Sequence, residues 1–439
     1  MSTPLKQLYL AHIDELQIRA KNVLRRESLD GLVIHSGKEL KAFLDDISYP
    51  FKCNPHFKHW LPLINATNCW LIINGEDKPR LIYFQPFDFW HQVKILSDEF
   101  WCDSFAIEVI HQASDIDKIL PYDKARIAYL GEHIEVANAL GFDNINPEAV
   151  LNYLHFHRAY KTDYEQACLR QANSIAVNGH KAAYHAFQQG MTEFDIQQVY
   201  LKEISHTESE TPYQNIIALN EHAAILHYTG LDRQKPKLMR SFLIDAGASF
   251  HGYCADITRT YAKSGSHFYD LIQQMDKLAL SLVKRLKPGM SYLDLHVEAH
   301  RDIAEVLREF DIIHCDASTA IEAGIVATFF PHGLGHHLGL QTHDVGGFMA
   351  DERGTHVSAP AEHSFLRTTR LVEANQVFTI EPGLYFIPSL LSNLRKSKVA
   401  SLINWKIVDQ LSFYGGIRIE DNVIVHQSHN ENITRLNDV

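Results

Sequence analysis

The sequence predicts a molecule in two parts, an α/β first part and an α+β second part whose strands look antiparallel. Three observations carry that reading. The chain has 439 residues, long for one core when domains run to about 100–200 residues. It is 46% hydrophobic and 21% charged, too apolar for a disordered chain. Its apolar residues also change period along the chain, from helical spacing to short solid runs and back.

Residues 4–26 carry apolar positions at helical spacing, and Gly31-Leu-Val-Ile-His35 then reads as a short buried strand. Cys69-Trp-Leu-Ile-Ile73 and Leu81-Ile-Tyr-Phe84 read as further strands, with aromatics crowding Pro86-Phe-Asp-Phe-Trp90. The mixed pattern continues to about residue 158. Thr162 followed by Glu165 is a capping-box signature that starts a long amphipathic helix. The domain border is therefore placed between residues 1–158 and 159–439. In the second part the spacing predicts helices over 163–189, 193–204, 267–286 and 292–310, the last two parted by the breaker Pro288-Gly289. Strands are predicted over 241–246, 253–261, 376–381 and 416–425.

A net charge of −12 disfavours nucleic-acid backbones and anionic membranes as partners, because both require a basic footprint. Met1-Ser2-Thr3-Pro4-Leu5-Lys6 leads into a charged helical pattern rather than an apolar signal core, and no run of 18 apolar residues follows. Six dispersed cysteines without a C-x-x-C pair suit a reducing compartment. A cytoplasmic protein is expected.

Four acids close or interrupt apolar runs. Ser241-Phe-Leu-Ile-Asp245 and Tyr253-Cys-Ala-Asp256-Ile-Thr258-Arg-Thr260 carry one each and are joined through Gly247 and Gly252. Eleven positions separate the two acids, a hairpin length that can set the carboxylates side by side, and alternation puts Thr258 and Thr260 on the face of Asp256. Glu381 closes Val377-Phe-Thr-Ile-Glu381, and Glu420 closes Gly415-Gly-Ile-Arg418-Ile-Glu420 with Arg418 on its face. Four carboxylates converging in an apolar core repel one another, so divalent metal is the natural neutraliser, two ions for four acids. Nitrogen ligands are available in Pro331-His332-Gly-Leu-Gly-His336-His337-Leu-Gly339, whose glycines disfavour a helix and put His332 and His336 on extended, closely packed backbone. His343 follows and can face the same cavity. Of 27 histidines, six fall between residues 332 and 363. Imidazole and carboxylate without thiolate suit Mn²⁺, Co²⁺, Fe²⁺ or Zn²⁺, and an oxygen-rich set leans to the harder ions.

Two patterns are set aside. His296-Val-Glu298-Ala-His300 spaces two imidazoles one helical turn apart, but Glu298 is at the wrong offset for H-E-x-x-H, and the pair reads as a solvated helix face. Gly333-Leu-Gly335-His-His-Leu-Gly339 misses the G-x-G-x-x-G spacing and lacks a βαβ unit around it.

The ordered set Asp245, Asp256, His336, Glu381 and Glu420 resembles the five metal ligands of the pita-bread metallopeptidases. The likeness extends along the chain to the bacterial Xaa-Pro dipeptidase, or prolidase, family and its organophosphorus acid anhydrolase relatives. It runs through Phe43-Leu-Asp45-Asp46, Asn54-Pro-His-Phe-Lys58, Pro212-Tyr213, Asn220-Glu-His222 and Leu226-His227-Tyr228. The resemblance implies a creatinase-like α/β N-terminal domain and an α+β pita-bread C-terminal domain. It implies two divalent ions per subunit, Mn²⁺ by expectation, with Asp245 on one, His336 and Glu381 on the other, and Asp256 and Glu420 bridging. It further implies hydrolysis of Xaa-Pro dipeptides at a trans prolyl imide bond by a metal-bridging hydroxide, with Glu381 as proton shuttle and His343 and His227 stabilising the oxyanion.

By the same resemblance His332, Arg370 and Arg418 grip the substrate carboxylate, and Tyr213 lines the pocket. Asp45, on a loop from the partner subunit of a homodimer, receives the substrate amine. By spacing alone Arg370, in Phe365-Leu-Arg-Thr-Thr-Arg370, reads as surface charge. Promiscuous hydrolysis of P–F and P–O bonds is an added expectation. The alternative activity is Xaa-Pro aminopeptidase action on longer peptides. A binding module without catalysis, from another functional class, is disfavoured by the intact ligand set.

Overall fold

The computed structural model describes residues 4–93, 95–96 and 99–437. Met1 to Thr3, which began the amino-terminal reading, and the last two positions of the second domain range lie outside the described residues. The chain forms two compact units, Met1–Cys168 with Asp351–Thr355, and Leu169–Ala350 with His356–Val439.

The first unit opens with α1 (Leu5–Glu27), which buries Tyr9, His12, Ile13, Leu16, Ala20, Val23 and Leu24 along one stripe. It ends at Ser28, whose left-handed backbone (φ 56°) turns the chain out of the helix. The strands are β1 (Gly31–His35), β2 (Trp70–Ile73), β3 (Arg80–Phe84), β4 (Ala106–Ile110), β5 (Ile127–Leu130) and β6 (Asn144–Ile145). They form one six-stranded sheet in the order β4-β3-β2-β1-β5-β6. Strand β2 runs antiparallel to β1 and β3, while the β1–β5, β3–β4 and β5–β6 pairs are parallel. Every residue of β1 and β5 is buried, which is why these strands read as solid apolar runs without alternation. Short helices α2 (Pro55–Trp60), α3 (Ile116–Ile119) and α4 (Ile134–Ala139) and the longer α5 (Glu148–Arg158) complete the α/β pattern.

The capping box forms as predicted. The Thr162 N–H donates to Glu165 Oε2 at 2.9 Å and the Glu165 N–H to Thr162 Oγ1 at 3.4 Å, at the start of α6 (Asp163–Gln188).

The second unit continues with α7 (Glu193–Ile204), β7 (Ile216–Leu219), β8 (Ser241–Asp245), β9 (Ser249–Phe250), β10 (Tyr253–Cys254) and β11 (Thr258–Ala262). Helices α8 (His267–Arg285), α9 (Tyr292–Glu309), α10 (Ala317–Glu322) and α11 (Ile325–Phe329) follow. After them come β12 (Val377–Ile380), β13 (Gly383–Tyr385), α12 (Pro388–Arg395), α13 (Trp405–Leu411), β14 (Gly416–Arg418), β15 (Asp421–Val425) and β16 (Asn430–Asn432). The strands associate as β11-β8-β7, β12-β15-β16, β13-β14 and β10-β9, all antiparallel.

Two strands predicted as continuous are interrupted, 253–261 between β10 and β11 and 416–425 between β14 and β15. Asp256 and Glu420 lie at the breaks. At Asp256 the side chain of Asn422 replaces a ladder partner, its Oδ1 accepting the Asp256 N–H at 3.0 Å and its amide donating to the Asp256 carbonyl. The backbone thus leaves the sheet without orphaned polar groups.

Helix α8 buries Phe268, Leu271, Ile272, Met275, Leu278, Ala279 and Leu282. Each large apolar side chain contributes about 1.5–3 kcal/mol when fully buried. On α9 the buried stripe runs through Tyr292, Leu295, His296, Ala299, His300 and Ile303. The solvated reading of His296 and His300 is therefore corrected: they are 2% and 5% exposed. They share helical phase with Tyr292, Ala299 and Ile303, and position on the stripe outweighs the polarity of the ring.

Candidate metal centre

Asp245 is the last residue of β8, and the strand register sets it opposite Thr258. Thr258 also bridges to Glu420, and its Oγ1 donates to Glu420 Oε2 at 2.6 Å. Three chain segments thus bring Asp245, Asp256 and Glu420 together. Glu381 follows β12, and its N–H donates to the Leu334 carbonyl at 2.8 Å, while the Thr379 N–H donates to the His336 carbonyl at 2.9 Å. The histidine segment is therefore extended and lies against β12, as its glycines predict. Gly335 is required there, since a Cβ would stand 2.1 Å from the Thr379 carbonyl oxygen. Gly247 has the same function beside Asp245, where a Cβ would stand 2.2 Å from the Ala255 oxygen and 2.9 Å from the Tyr213 ring.

Ligand atoms of Asp256, His336 and Glu420 lie within 4.8 Å of one another. His336 Nε2 is 3.4 Å from Asp256 Oδ2 and 3.7 Å from Glu381 Oε1. Its Nδ1–H donates to the His337 carbonyl at 3.0 Å, which fixes the tautomer and turns Nε2 toward the acids.

Burial raises the pKa of Asp245, lifts Glu420 well above the carboxylate range and brings Glu381 to about 7, and mutual repulsion among the acids adds to each. At Asp256 burial acts in the same direction, but the hydrogen bond and charge of His336 prevail and hold it low. His336 keeps its proton more firmly than usual, because Asp256 and Glu381 outweigh its own burial. Among the described residues Asp245 Oδ1 is buried without a hydrogen-bond partner. A set of buried acids short of positive charge, with an orphaned oxygen and an oriented imidazole, fits divalent cations.

One side of the cluster is cationic. Arg418 Nη2 donates to Asp245 Oδ2 at 2.6 Å, Nη1 to the Tyr385 hydroxyl at 2.9 Å and Nε to Thr258 Oγ1 at 3.2 Å. The Tyr385 oxygen is 2.8 Å from His332 Nε2, and His332 Nδ1 is 3.7 Å from Glu381 Oε2. Burial and the Arg418 charge lower His332 to about 3. The His343 ring meets His336 edge-on at 4.3 Å. Burial, with the charges of His336 and Arg367, lowers His343 to about 4. His227 acts electrostatically on both His332 and His343.

The Tyr213 hydroxyl is buried near Asp245 and Asp256, and that burial together with their charges raises its pKa well above the usual phenol range. Arg370 is 2% exposed, which corrects the surface reading from spacing. Its backbone N–H donates to the Gly347 carbonyl at 3.0 Å and its Nη2 is 3.0 Å from Glu373 Oε2. Asp45 belongs to the first unit, on an exposed turn where its Oδ1 accepts the Asp46 N–H at 2.7 Å and the Ile47 N–H at 3.3 Å.

Sequence reasoning missed Tyr385, Asn422 and Arg367. Tyr385 has only a weak mark, its place on the short buried strand β13 soon after Glu381. Asn422 and Arg367 carry no comparable mark.

Residues 7–156 match the Xaa-Pro dipeptidase N-terminal domain family, and residues 167–427 match metallopeptidase family M24. The chain is 62% identical over 435 residues to an Xaa-Pro dipeptidase of Colwellia psychrerythraea, covering 99% of this chain and 98% of the relative. It is 57% identical over 435 residues to an Xaa-Pro dipeptidase of Pseudoalteromonas atlantica, covering 98% of each. Aminopeptidase P from E. coli with the inhibitor Pro-Leu superimposes with a TM-score of 0.75 at 22% identity over 96% of this chain and 95% of that one. That likeness shows the fold alone. The chain belongs to metallopeptidase family M24 and, within it, to the Xaa-Pro dipeptidase family. Its architecture is an α/β N-terminal domain followed by the α+β pita-bread fold. Among the described residues no helix is long and apolar enough to cross a membrane.

Proposed function

We propose that the protein hydrolyses Xaa-Pro dipeptides, with residues 1–158 as the N-terminal domain and 159–439 as the catalytic domain. The carrying observation is the convergence of buried acids and an oriented imidazole beside the Arg418–Tyr385–His332 chain. The names of the full-length relatives support the substrate class.

Asp245, Asp256, His336, Glu381 and Glu420 would hold two divalent ions, Mn²⁺ in the physiological enzyme. When bound, such ions polarise a carbonyl and lower the pKa of water. Glu381, at about 7 before metal binds, is placed beside His336 to accept a proton and deliver it to the leaving prolyl nitrogen. His343 and His227 donate to the oxygen on which negative charge develops. For His343, its burial-lowered pKa of about 4 keeps the ring a neutral donor at physiological pH. The substrate carboxylate is read by the guanidiniums of Arg418 at the cluster and Arg370 on its loop, a task that suits their fork, with His332, whose pKa is lowered to about 3, as a neutral hydrogen-bonding neighbour. Tyr213 lines the same pocket.

Asp45 of the partner subunit receives the substrate amine in a homodimer located in the cytoplasm. The same site would hydrolyse P–F and P–O bonds at a lower rate, with water as the nucleophile and fluoride or an alcohol as the leaving group.

Asp256→Asn tests the reading. It preserves shape and removes a charge, so bound metal falls and dipeptide turnover drops by at least about 100-fold. Undiminished turnover in the chelated wild-type protein would contradict the proposal.

A further inference from the structure

Away from the acids, a second group of ligand-type side chains converges with no part in the chemistry above. His296 and His300 stand one turn apart on α9, and His363 ends the 3-10 turn Ala361–His363. Ligand nitrogens of all three lie within 4.8 Å of one another. The rings meet edge-on in every pairing, with centroids 4.6, 4.5 and 4.9 Å apart. His296 Nε2 is 3.0 Å from His363 Nδ1. Two imidazoles on one tetrahedral ion at about 2.0–2.1 Å have their nitrogens about 3.3 Å apart. The closest pair is therefore already near ligand spacing.

An ordinary histidine–histidine hydrogen bond accounts for the His296–His363 pair alone and gives no part to His300, whose ring meets both. Burial, reinforced by the neighbouring imidazoles, lowers His296 to about 2 and His300 to about 4, and burial also lowers His363. All three rings are neutral near pH 7, the form that binds metal. The other histidine cluster differs. His12, with its partners Thr162 and the His59 carbonyl, has both ring nitrogens hydrogen-bonded.

We infer that His296, His300 and His363 form a separate site for one borderline divalent cation of the Zn²⁺ type, with solvent completing the coordination. An all-nitrogen set favours Zn²⁺ over Mn²⁺, the reverse of the oxygen-rich centre. The ion joins α9 to the segment that leads to Arg367 and Arg370. That segment is otherwise held by the Thr369 and Arg370 N–H groups on the Gly347 carbonyl and by the Ser291–Leu371 bridge. It is therefore a structural brace beside the active centre, and its occupancy does not depend on the reaction proposed above.

The test uses the full chain, stripped by chelator, saturated with Mn²⁺ and then titrated with Co²⁺ or Zn²⁺. Wild type is compared with His363→Ala, at a partly exposed position, and with His300→Gln. Wild type is expected to retain one more ion per chain than either variant after gel filtration. Its Co²⁺ form should show the intense visible absorption of a four-coordinate nitrogen site, absent from both variants. Equal ion content in all three proteins with superimposable Co²⁺ spectra would overturn the inference. Because the readout is a difference between proteins, it holds whatever the acidic centre binds and whether or not dipeptides are cleaved.

Discussion

At Tyr385 one hydroxyl serves two partners, accepting from Arg418 Nη1 at 2.9 Å and meeting His332 Nε2 at 2.8 Å. Tyr385→Phe removes both contacts while the ring stays packed. Hydrogen bonds to charged groups are worth about 1.5–3 kcal/mol, so kcat/KM for a dipeptide is expected to fall by about 10- to 100-fold with stability little changed. Steady-state kinetics that match wild type would show that the chain from Arg418 to His332 does not position substrate. The acids and His336 were legible in the sequence because a carboxylate closing an apolar run, or histidines between glycines, are uncommon without a compensating ligand. Tyr385 was not, since its partners lie 33 and 53 positions away and a tyrosine on a buried strand has many ordinary reasons to be there. Arg370 shows the opposite error: spacing suggested solvent, and the fold buries it.

At the scale of elements, the helices from α6 to α9 were readable to within a residue or two, because an amphipathic stripe and a capping box are local signals. The broken strands were not, because the interruption at Asp256 depends on Asn422, 166 positions distant. The histidine segment stands between these cases. Its glycines announced close packing, and the structure identifies what packs there, the Thr379 carbonyl against Gly335. Gly335→Ala forces that carbonyl or the segment to move. Overpacking of this kind costs about 1–3 kcal/mol. Denaturant unfolding should register the loss, and metal retention should weaken because His336 is the next residue. A Gly335→Ala protein with wild-type stability and metal content would contradict the close-packing account.

At the scale of the whole molecule, the α/β and α+β parts were legible from the change in period, and stability should respond to pH through groups far from the acids. His12 Nε2 donates to the His59 carbonyl at 2.8 Å, and its Nδ1 accepts from Thr162 Oγ1 at 2.8 Å, tying α1 to the start of α6. Burial, joined by the charges of His59 and Arg19 and opposed by Glu165, lowers His12 to about 4 from 6.5. Between those values the unfolded chain binds a proton that the folded chain refuses. The contribution of His12 is thus complete above pH 6.5 and is lost as pH falls toward 4, at up to about 1.4 kcal/mol per pH unit. Melting profiles from pH 7 to pH 4.5 should fall less steeply for His12→Gln than for wild type. Parallel profiles would remove His12 from the account.

Under the proposed function, a metal-loaded acidic centre acts together with guanidiniums that read a free carboxylate. This pairing is tested most directly by turnover of an Xaa-Pro dipeptide, its C-terminal amide and an Xaa-Pro-Yaa tripeptide, in chelated protein and after Mn²⁺ is restored. Cleavage of the free dipeptide only, and only with metal, is expected. Equal cleavage of the tripeptide would contradict the carboxylate reading and move the activity to an aminopeptidase, and metal-independent cleavage of any of the three would contradict the metal centre itself.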